Sequence, residues 1–170
     1  MLRINPGLSF GTGWHFTTRF CLEALEEAVE ELRPRSMLDA GAGSGILSIA
    51  AVKLGVGEVA GFDWDPVAVE RCEANAVLNG LAKGRIRFWQ QDVRVWRPEG
   101  TADVVCANIL SSVLLEAADA LWSATGRRLI LSGLRENEGG AVSAAFEALG
   151  ARLRRREGDG EWCGLVLERP

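Results

Sequence analysis

A glycine-rich segment between an apolar strand and an apolar helix is the part of this sequence best suited to ligand chemistry. It runs from Met37 to Leu47, with Asp39 at the end of the predicted strand and glycines at positions 41, 43 and 45. Because glycine has no Cβ, such a loop lets backbone N–H groups and the start of a helix come close to a ligand. We therefore expect Asp39, Gly41, Gly43 and Gly45 to surround a small molecule.

The spacing of these glycines narrows the class of ligand. A dinucleotide fingerprint, G-x-G-x-x-G, would require glycine at position 46, where this chain has Ile46. A P-loop for triphosphates is excluded because no Lys-Ser or Lys-Thr pair follows the loop. An acid followed by G-x-G-x-G resembles motif I of the class I S-adenosylmethionine-dependent methyltransferases. The alternative is a glycine-rich turn between strand and helix that binds no ligand.

Polar residues also follow the next three predicted strands. Asp63 ends the second strand, where doubly wound folds place an acid that accepts hydrogen bonds from ribose hydroxyls. Asp92 follows the third strand and either accepts from an adenine amino group or is an ordinary loop acid. Asn108 ends the apolar fourth strand and should face the same crevice, where its amide needs a partner. Asp65, before Pro66, is instead the expected N-cap of the following helix.

Strands and helices alternate along the chain, which predicts an α/β fold with a doubly wound, mostly parallel sheet. The predicted helices span 17–32, 46–54, 67–78, 111–124 and 138–149. Five predicted strands lie at 37–40, 58–63, 85–89, 103–107 and 129–131. Two more, at 152–157 and 161–168, flank Gly-Asp-Gly and predict a C-terminal antiparallel hairpin. We therefore expect one seven-stranded domain over residues 1–170, of the Rossmann-like kind found in class I methyltransferases.

Composition and charge restrict the functional class. The chain has 170 residues, of which 48% are hydrophobic, and a net charge of −4, which argues against general nucleic-acid binding. Lys53 interrupts the longest apolar run, so no membrane helix is expected. Four separated cysteines and a single histidine favour reduced thiols in a cytoplasmic protein without a metal centre. The basic run 152–156 predicts a solvated edge strand or, as the alternative, a docking patch for an acidic partner.

The segment before the first helix carries a more specific resemblance. Residues 5–18 read NPGLSFGTGWHFTT and resemble the P-G-x-x-F-G-T-G-x-H-x-T-T motif of the PrmA family, bacterial methyltransferases of ribosomal protein L11. The similarity continues through residues 39–51, 61–66, 107–110, 131–134 and 161–163. The resemblance implies S-adenosyl-L-methionine as the cofactor, held by Thr18, Gly41, Asp63 and Asn108. All four residues are present.

The resemblance also implies the acceptor, a protein amine on a lysine side chain or at an N-terminus. Asn108 would then be the catalytic residue, since its carbonyl oxygen can accept from the amine and direct its lone pair at the methyl group. His15 is the single histidine and the only candidate for a general base, and a role in shaping the loop is the alternative.

Two departures from the family pattern are present, of which the first concerns the local shape of the loop and the second the identity of the acceptor. Phe16 stands where the family has proline, and members carry an N-terminal substrate-recognition domain that this sequence does not show. The sequence is therefore either part of a longer chain or a stand-alone relative with another substrate, such as a lysine methyltransferase of electron-transfer flavoprotein β. Methylation of a small molecule or nucleic acid is a further alternative, although the Asn-Pro-Pro-aromatic motif of amino-methylating nucleic-acid enzymes is missing at Asn108. The last alternative is a binding module without catalytic activity.

Overall fold

The computed structural model describes residues 2–5 and 15–170, so the part of the N-terminal motif at 6–14 lies outside the described residues. The helices are α1 (Phe16–Leu32), α2 (Ile46–Lys53), α3 (Pro66–Leu78), α4 (Ser111–Glu116), α5 (Ala118–Ala124) and α6 (Gly139–Ala148). The strands are β1 (Ser36–Ala40), β2 (Glu58–Asp63), β3 (Arg87–Gln90), β4 (Ala102–Asn108), β5 (Thr125–Arg135), β6 (Arg152–Gly158) and β7 (Trp162–Glu168).

The strands form one sheet in the order β3-β2-β1-β4-β5-β7-β6. Neighbouring strands from β3 to β5 are parallel, whereas β7 runs antiparallel to both β5 and β6. This arrangement confirms the predicted seven-stranded sheet with its C-terminal hairpin. The chain order reverses between β1 and β4, and ligands in such sheets bind outside the carboxyl ends of the strands at that point.

Alternate residues of the central strands enter two separate cores. On β4, Val104 and Cys106 pack on the side of α1 and α2, whereas Val105 and Ala107 pack on the side of α4 to α6. This two-residue period is what a strand buried on both faces requires. The polar ends of the strands therefore lie at the rim of the sheet, between the two helical layers.

Three predicted elements differ from the structure by more than a one-residue shift at an end. The strand predicted over 129–131 is longer and spans Thr125–Arg135. The helix predicted over 111–124 is two helices, α4 and α5, which meet at the buried Ala117. The third strand begins at Arg87 instead of Arg85, because the Arg85 N–H closes a turn with the carbonyl of Ala82. The Arg85 side chain then reaches back to the Val56 carbonyl, at 2.9 Å.

The basic run forms the predicted edge strand, β6, but its charges are largely paired within the chain. Arg154 lies 2.7 Å from Glu31 of α1, and Arg155 lies 3.4 Å from Glu27 of the same helix. Arg152 also pairs with Glu168, and Arg156 pairs with Glu136. Each of the four arginines in this run therefore has an acidic partner within the chain.

No helix within residues 2–5 and 15–170 is long and apolar enough to cross a membrane. The same residues contain no group of His, Cys, Asp and Glu side chains arranged to hold a metal ion.

Candidate functional site

A cavity of about 440 Å³ lies at the carboxyl ends of β1, β2 and β4. Of the eight residues predicted to bind a ligand, six line it: Thr18, Asp39, Gly41, Gly43, Asp63 and Asn108. A wider cavity of about 850 Å³ opens beside the opposite ends of β1 to β3 and contains none of the eight. The predicted residues thus meet where a doubly wound sheet binds its ligands.

The glycine loop is fastened to the end of β2. The N–H groups of Gly41 and Ala42 donate to the Phe62 carbonyl at 2.8 and 2.9 Å, and the N–H of Gly43 donates to Asp63 Oδ2 at 2.9 Å. Gly41 has φ +82°, and a Cβ there would collide with the side chain of Ile109. Glycine is therefore required where the loop passes under the segment that follows β4.

Asp63 is buried at 8% exposure, and both of its carboxylate oxygens face backbone donors. Oδ2 accepts from Gly43, and Oδ1 accepts from the N–H of Asp65 at 3.0 Å. Each ionised oxygen has a second acceptor position, which suits a pair of neighbouring hydroxyls. Asp65 itself caps α3 through Val67 at 2.9 Å, as predicted.

Asp39 lies beneath the loop at 1% exposure. Burial raises the pKa of its carboxyl to about 6, and the negative charge of Asp63 adds to this rise. Two hydrogen bonds from Ser48 oppose it, from the backbone N–H at 3.1 Å and the hydroxyl at 2.7 Å. An acid in this state is stabilised in its ionised form by a bound cation.

Asn108 enters the cavity from the end of β4. Within residues 2–5 and 15–170 its side-chain amide makes no hydrogen bond. Its carbonyl oxygen and its NH₂ group are therefore both available to a ligand. The next residue, Ile109, donates its N–H to the Ser132 carbonyl at 3.2 Å. Sequence reasoning missed the neighbour that makes this approach possible, Gly133 of β5.

Gly133 has φ +83°, and a Cβ on it would lie 2.8 Å from the carbonyl carbon of Ile109. The segment after β4 can lie this close to β5 only because position 133 is glycine. The signal for this was a single glycine interrupting an apolar strand pattern.

The start of α1 forms another wall of the cavity. His15 is the N-cap of α1, and its Nδ1 accepts from the N–H of Thr17 at 3.4 Å and lies 2.9 Å from the Thr17 hydroxyl. The His15 ring meets the Trp162 ring edge-on, with 4.9 Å between the ring centroids. The Arg135 guanidinium stacks on the Trp162 ring, 4.1 Å from its centroid. These contacts favour the structural role for His15. Trp162 was not predicted as a site residue, although it lines the cavity.

Two predicted residues do not line the cavity. Gly45 is the N-cap of α2 with φ +77°, and a Cβ there would lie 3.2 Å from Cys72, so its glycine serves helix packing. Asp92 binds Arg94 through both carboxylate oxygens, with Nη2 at 2.7 Å from Oδ2. Hydrogen bonds from the Arg94 side chain and backbone lower the pKa of Asp92.

Comparisons with known proteins agree on one family. The family model described as "Ribosomal protein L11 methyltransferase (PrmA)" matches residues 1–170. The ribosomal protein L11 methyltransferases of Pelotomaculum thermopropionicum and Myxococcus xanthus are 41% and 37% identical over 98% and 99% of this chain. The chain spans 53% and 57% of those relatives, about half their length.

A solved structure gives the same result. The ribosomal protein L11 methylase from Lactobacillus delbrueckii subsp. bulgaricus superimposes with a TM-score of 0.88 at 31% identity, covering 99% of this chain and 84% of that one. The similarity therefore extends over nearly the whole of this chain.

Proposed function

The chain belongs to the ribosomal protein L11 methyltransferase (PrmA) family, and from this we propose that it binds S-adenosylmethionine and transfers its methyl group to a protein amine. The observation that carries the proposal is the meeting of the glycine loop, Asp63 and Asn108 in one cavity. These residues come from three different strand ends. Their convergence supplies a place for a nucleoside and, across from it, an amide for the acceptor.

The residues of the cavity fit this cofactor. Asp63 keeps acceptor positions for the two ribose hydroxyls, while its bonds to Gly43 and Asp65 hold the carboxylate in place. Gly41 keeps the loop free of a side chain at the cavity. The buried Asp39 favours a ligand with positive charge, and the buried Thr18 lines the same cavity. A cationic nucleoside matches each of these features.

S-adenosylmethionine supplies an electrophilic methyl group on a sulfonium. The acceptor amine must arrive neutral, although a lysine with a pKa near 10.4 is mostly protonated at pH 7. Asn108 can accept a hydrogen bond from that amine and fix the direction of its lone pair. Ile109, Leu110 and Trp162 give the same cavity an apolar lining, which favours the neutral amine.

We propose ribosomal protein L11 as the acceptor, because the curated relatives are named as methyltransferases of that protein. A cytoplasmic location fits this acceptor and is supported by the four cysteines, which are all buried free thiols.

The test is transfer of labelled methyl from S-adenosylmethionine to purified ribosomal protein L11, compared with total cell RNA and small molecules. We expect label in the protein, and Asn108→Ala should lower turnover by up to about 100-fold, a larger loss than its loss of affinity for S-adenosylhomocysteine. Asn137→Ala, at an exposed turn, is the matched control and should behave as the wild type. Label only in RNA or small molecules would refute the acceptor.

A further inference from the structure

Residues 2–5, here called the N-terminal segment, lie along helix α3 and are held there by two asparagines. Asn79 accepts from the N–H of Arg3 at 2.9 Å and donates to the Arg3 carbonyl at 2.6 Å. Asn75 accepts from the N–H of Asn5 at 2.9 Å and donates to the Asn5 carbonyl at 3.2 Å. Each side-chain amide therefore pairs with one residue's backbone, as a neighbouring strand would.

The spacing of the two asparagines explains why they bind an extended chain. Residues four apart on a helix are separated by about 6 Å along its axis. Residues two apart in an extended strand are separated by about 6.6 Å. Asn75 and Asn79 thus match Arg3 and Asn5, and they recognise backbone groups, so the match does not depend on the side chains of the N-terminal segment.

Asn75 has a further contact that Asn79 lacks. Its Nδ2 also donates to the carbonyl of Ser44 at 2.8 Å, and Asn75 is buried at 1% exposure. Ser44 belongs to the glycine loop and lines the cavity. One amide therefore joins the N-terminal segment to the loop that forms the candidate cofactor site.

We propose that Asn75 is a positioning residue that couples anchoring of the N-terminal segment to binding of S-adenosylmethionine, an inference that rests on the proposed function. When the segment is docked, its bonds fix the Asn75 amide, and the amide fixes the Ser44 carbonyl and the loop beside it. Coupling of this kind is reciprocal: the docked segment raises cofactor affinity, and the bound cofactor strengthens docking by the same factor.

Asn79 makes the coupling testable without touching the loop. Asn79→Ala removes the pair with Arg3 and the hydrogen bond from Asn79 to the Asn75 carbonyl, and it leaves the Asn75–Ser44 bond in place. Asn75→Ala removes both links, and Glu73→Ala on the exposed side of the same helix is the matched control. Because Asn75 is buried and its variant could fail to fold, Asn79→Ala keeps the proposal falsifiable.

The experiment combines calorimetry with S-adenosylhomocysteine and hydrogen exchange of the full chain with and without it. We expect Asn75→Ala to weaken binding by at least about tenfold, Asn79→Ala by about two- to fivefold, and Glu73→Ala not at all. In the wild type the ligand should slow exchange of the Arg3 and Asn5 amides, and this slowing should disappear in Asn75→Ala.

Wild-type binding without slower exchange at Arg3 and Asn5, together with unchanged affinity in Asn79→Ala, would overturn the coupling and leave the proposed function intact. A wild type that binds neither S-adenosylmethionine nor S-adenosylhomocysteine would overturn both.

Discussion

Asp63 and Asp92 both follow a strand of the sheet, but only Asp63 faces the cavity. Asp63 is the last residue of β2, directly beside β1, and its carboxylate is held by the loop it serves. Asp92 comes two residues after β3 at the edge of the sheet, where Arg94 occupies both of its oxygens. The sequence could place both acids at strand ends. It could not show that Asp92 would bind Arg94 and so would not face the cavity.

This contrast predicts that two similar substitutions differ in their effect on cofactor affinity. Asp63→Ala should weaken S-adenosylhomocysteine binding by about 1.5–3 kcal/mol, because a charged acceptor is lost from the cavity. Asp92→Ala should leave that affinity unchanged, since its carboxylate binds Arg94. Titration calorimetry measures both. Equal losses in the two variants would contradict the site as described and would restore Asp92 as a ligand contact.

A pH dependence of binding follows from Asp39. Burial raises the pKa of its carboxyl to about 6, so the group is ionised at pH 7 and mostly protonated at pH 5. If the ionised form binds the cationic cofactor, affinity should fall about tenfold from pH 7 to pH 5. The nearby thiols of Cys21, Cys72 and Cys106 stay neutral in this range because burial raises their pKa values.

Calorimetry with S-adenosylmethionine between pH 5 and 7 measures this effect, and Asp39→Asn is expected to flatten the profile. In the free protein, folding stability changes with pH in the opposite direction to ligand affinity, because the folded-state pKa of Asp39 lies above the unfolded value. Ionisation of Asp39 then lowers stability progressively between about pH 4 and pH 6. Affinity that stays constant in the wild type would argue against a cation beside Asp39.

At the scale of the elements, apolar periodicity predicted the alternation of strands and helices. The chemistry of strand ends predicted five of the residues that line the cavity, and the family resemblance supplied the sixth, Thr18. The division of α4 from α5 at Ala117 carries no glycine or proline and had no local signal. The close approach at Gly133 depends on Ile109, which is 24 positions away in sequence and adjacent only in the fold. Such features arise from tertiary contacts, so sequence pattern alone does not reveal them.

The ion pairs that join α1 to the C-terminal hairpin are another tertiary feature. Arg128 of β5 has a side chain only 3% exposed, with Glu31 at 2.9 Å and Glu168 at 3.5 Å. A hydrogen bond from Arg128 is the main cause that lowers the pKa of Glu31, and one from Arg152 is the main cause for Glu168. Since both folded-state pKa values are lowered, these carboxylates stabilise the fold above about pH 4.3, and the contribution is lost as the pH falls further.

Glu168→Gln should therefore lower the free energy of unfolding at pH 7 by about 1.5–3 kcal/mol, because Arg128 keeps a buried charge with one partner fewer. Glu161→Gln is the control, since its carboxylate is 66% exposed in an ion pair and should contribute less than about 1 kcal/mol. Urea unfolding at pH 7 and pH 3.5 compares them, and the effect of Glu168→Gln should shrink at the lower pH. Equal effects of the two variants at pH 7 would show that burial of Arg128 does not matter.

At the scale of the whole molecule, one sheet both holds the two cores together and places the cavity where its strand order reverses. Ligand binding at that point contacts the ends of β1, β2 and β4 and the start of α1 together. A ligand that binds only this folded arrangement must stabilise the entire described fold, because its binding energy is lost on unfolding.

The two cofactor classes considered from the glycine spacing should therefore differ in their effect on thermal unfolding. S-adenosylhomocysteine at about 100 times its Kd should add about 2.7 kcal/mol of stability and raise the Tm by roughly 5–10 °C for a domain of this size. NAD should cause no shift, because Ile46 occupies the third glycine position of the dinucleotide fingerprint. At the same concentration of S-adenosylhomocysteine, Asp63→Ala should lose most of this rise in Tm. In NAD, the Tm of the variant should equal its Tm without ligand. Stabilisation by NAD with no response to S-adenosylhomocysteine would instead identify a dinucleotide site and would refute the methyl-transfer proposal.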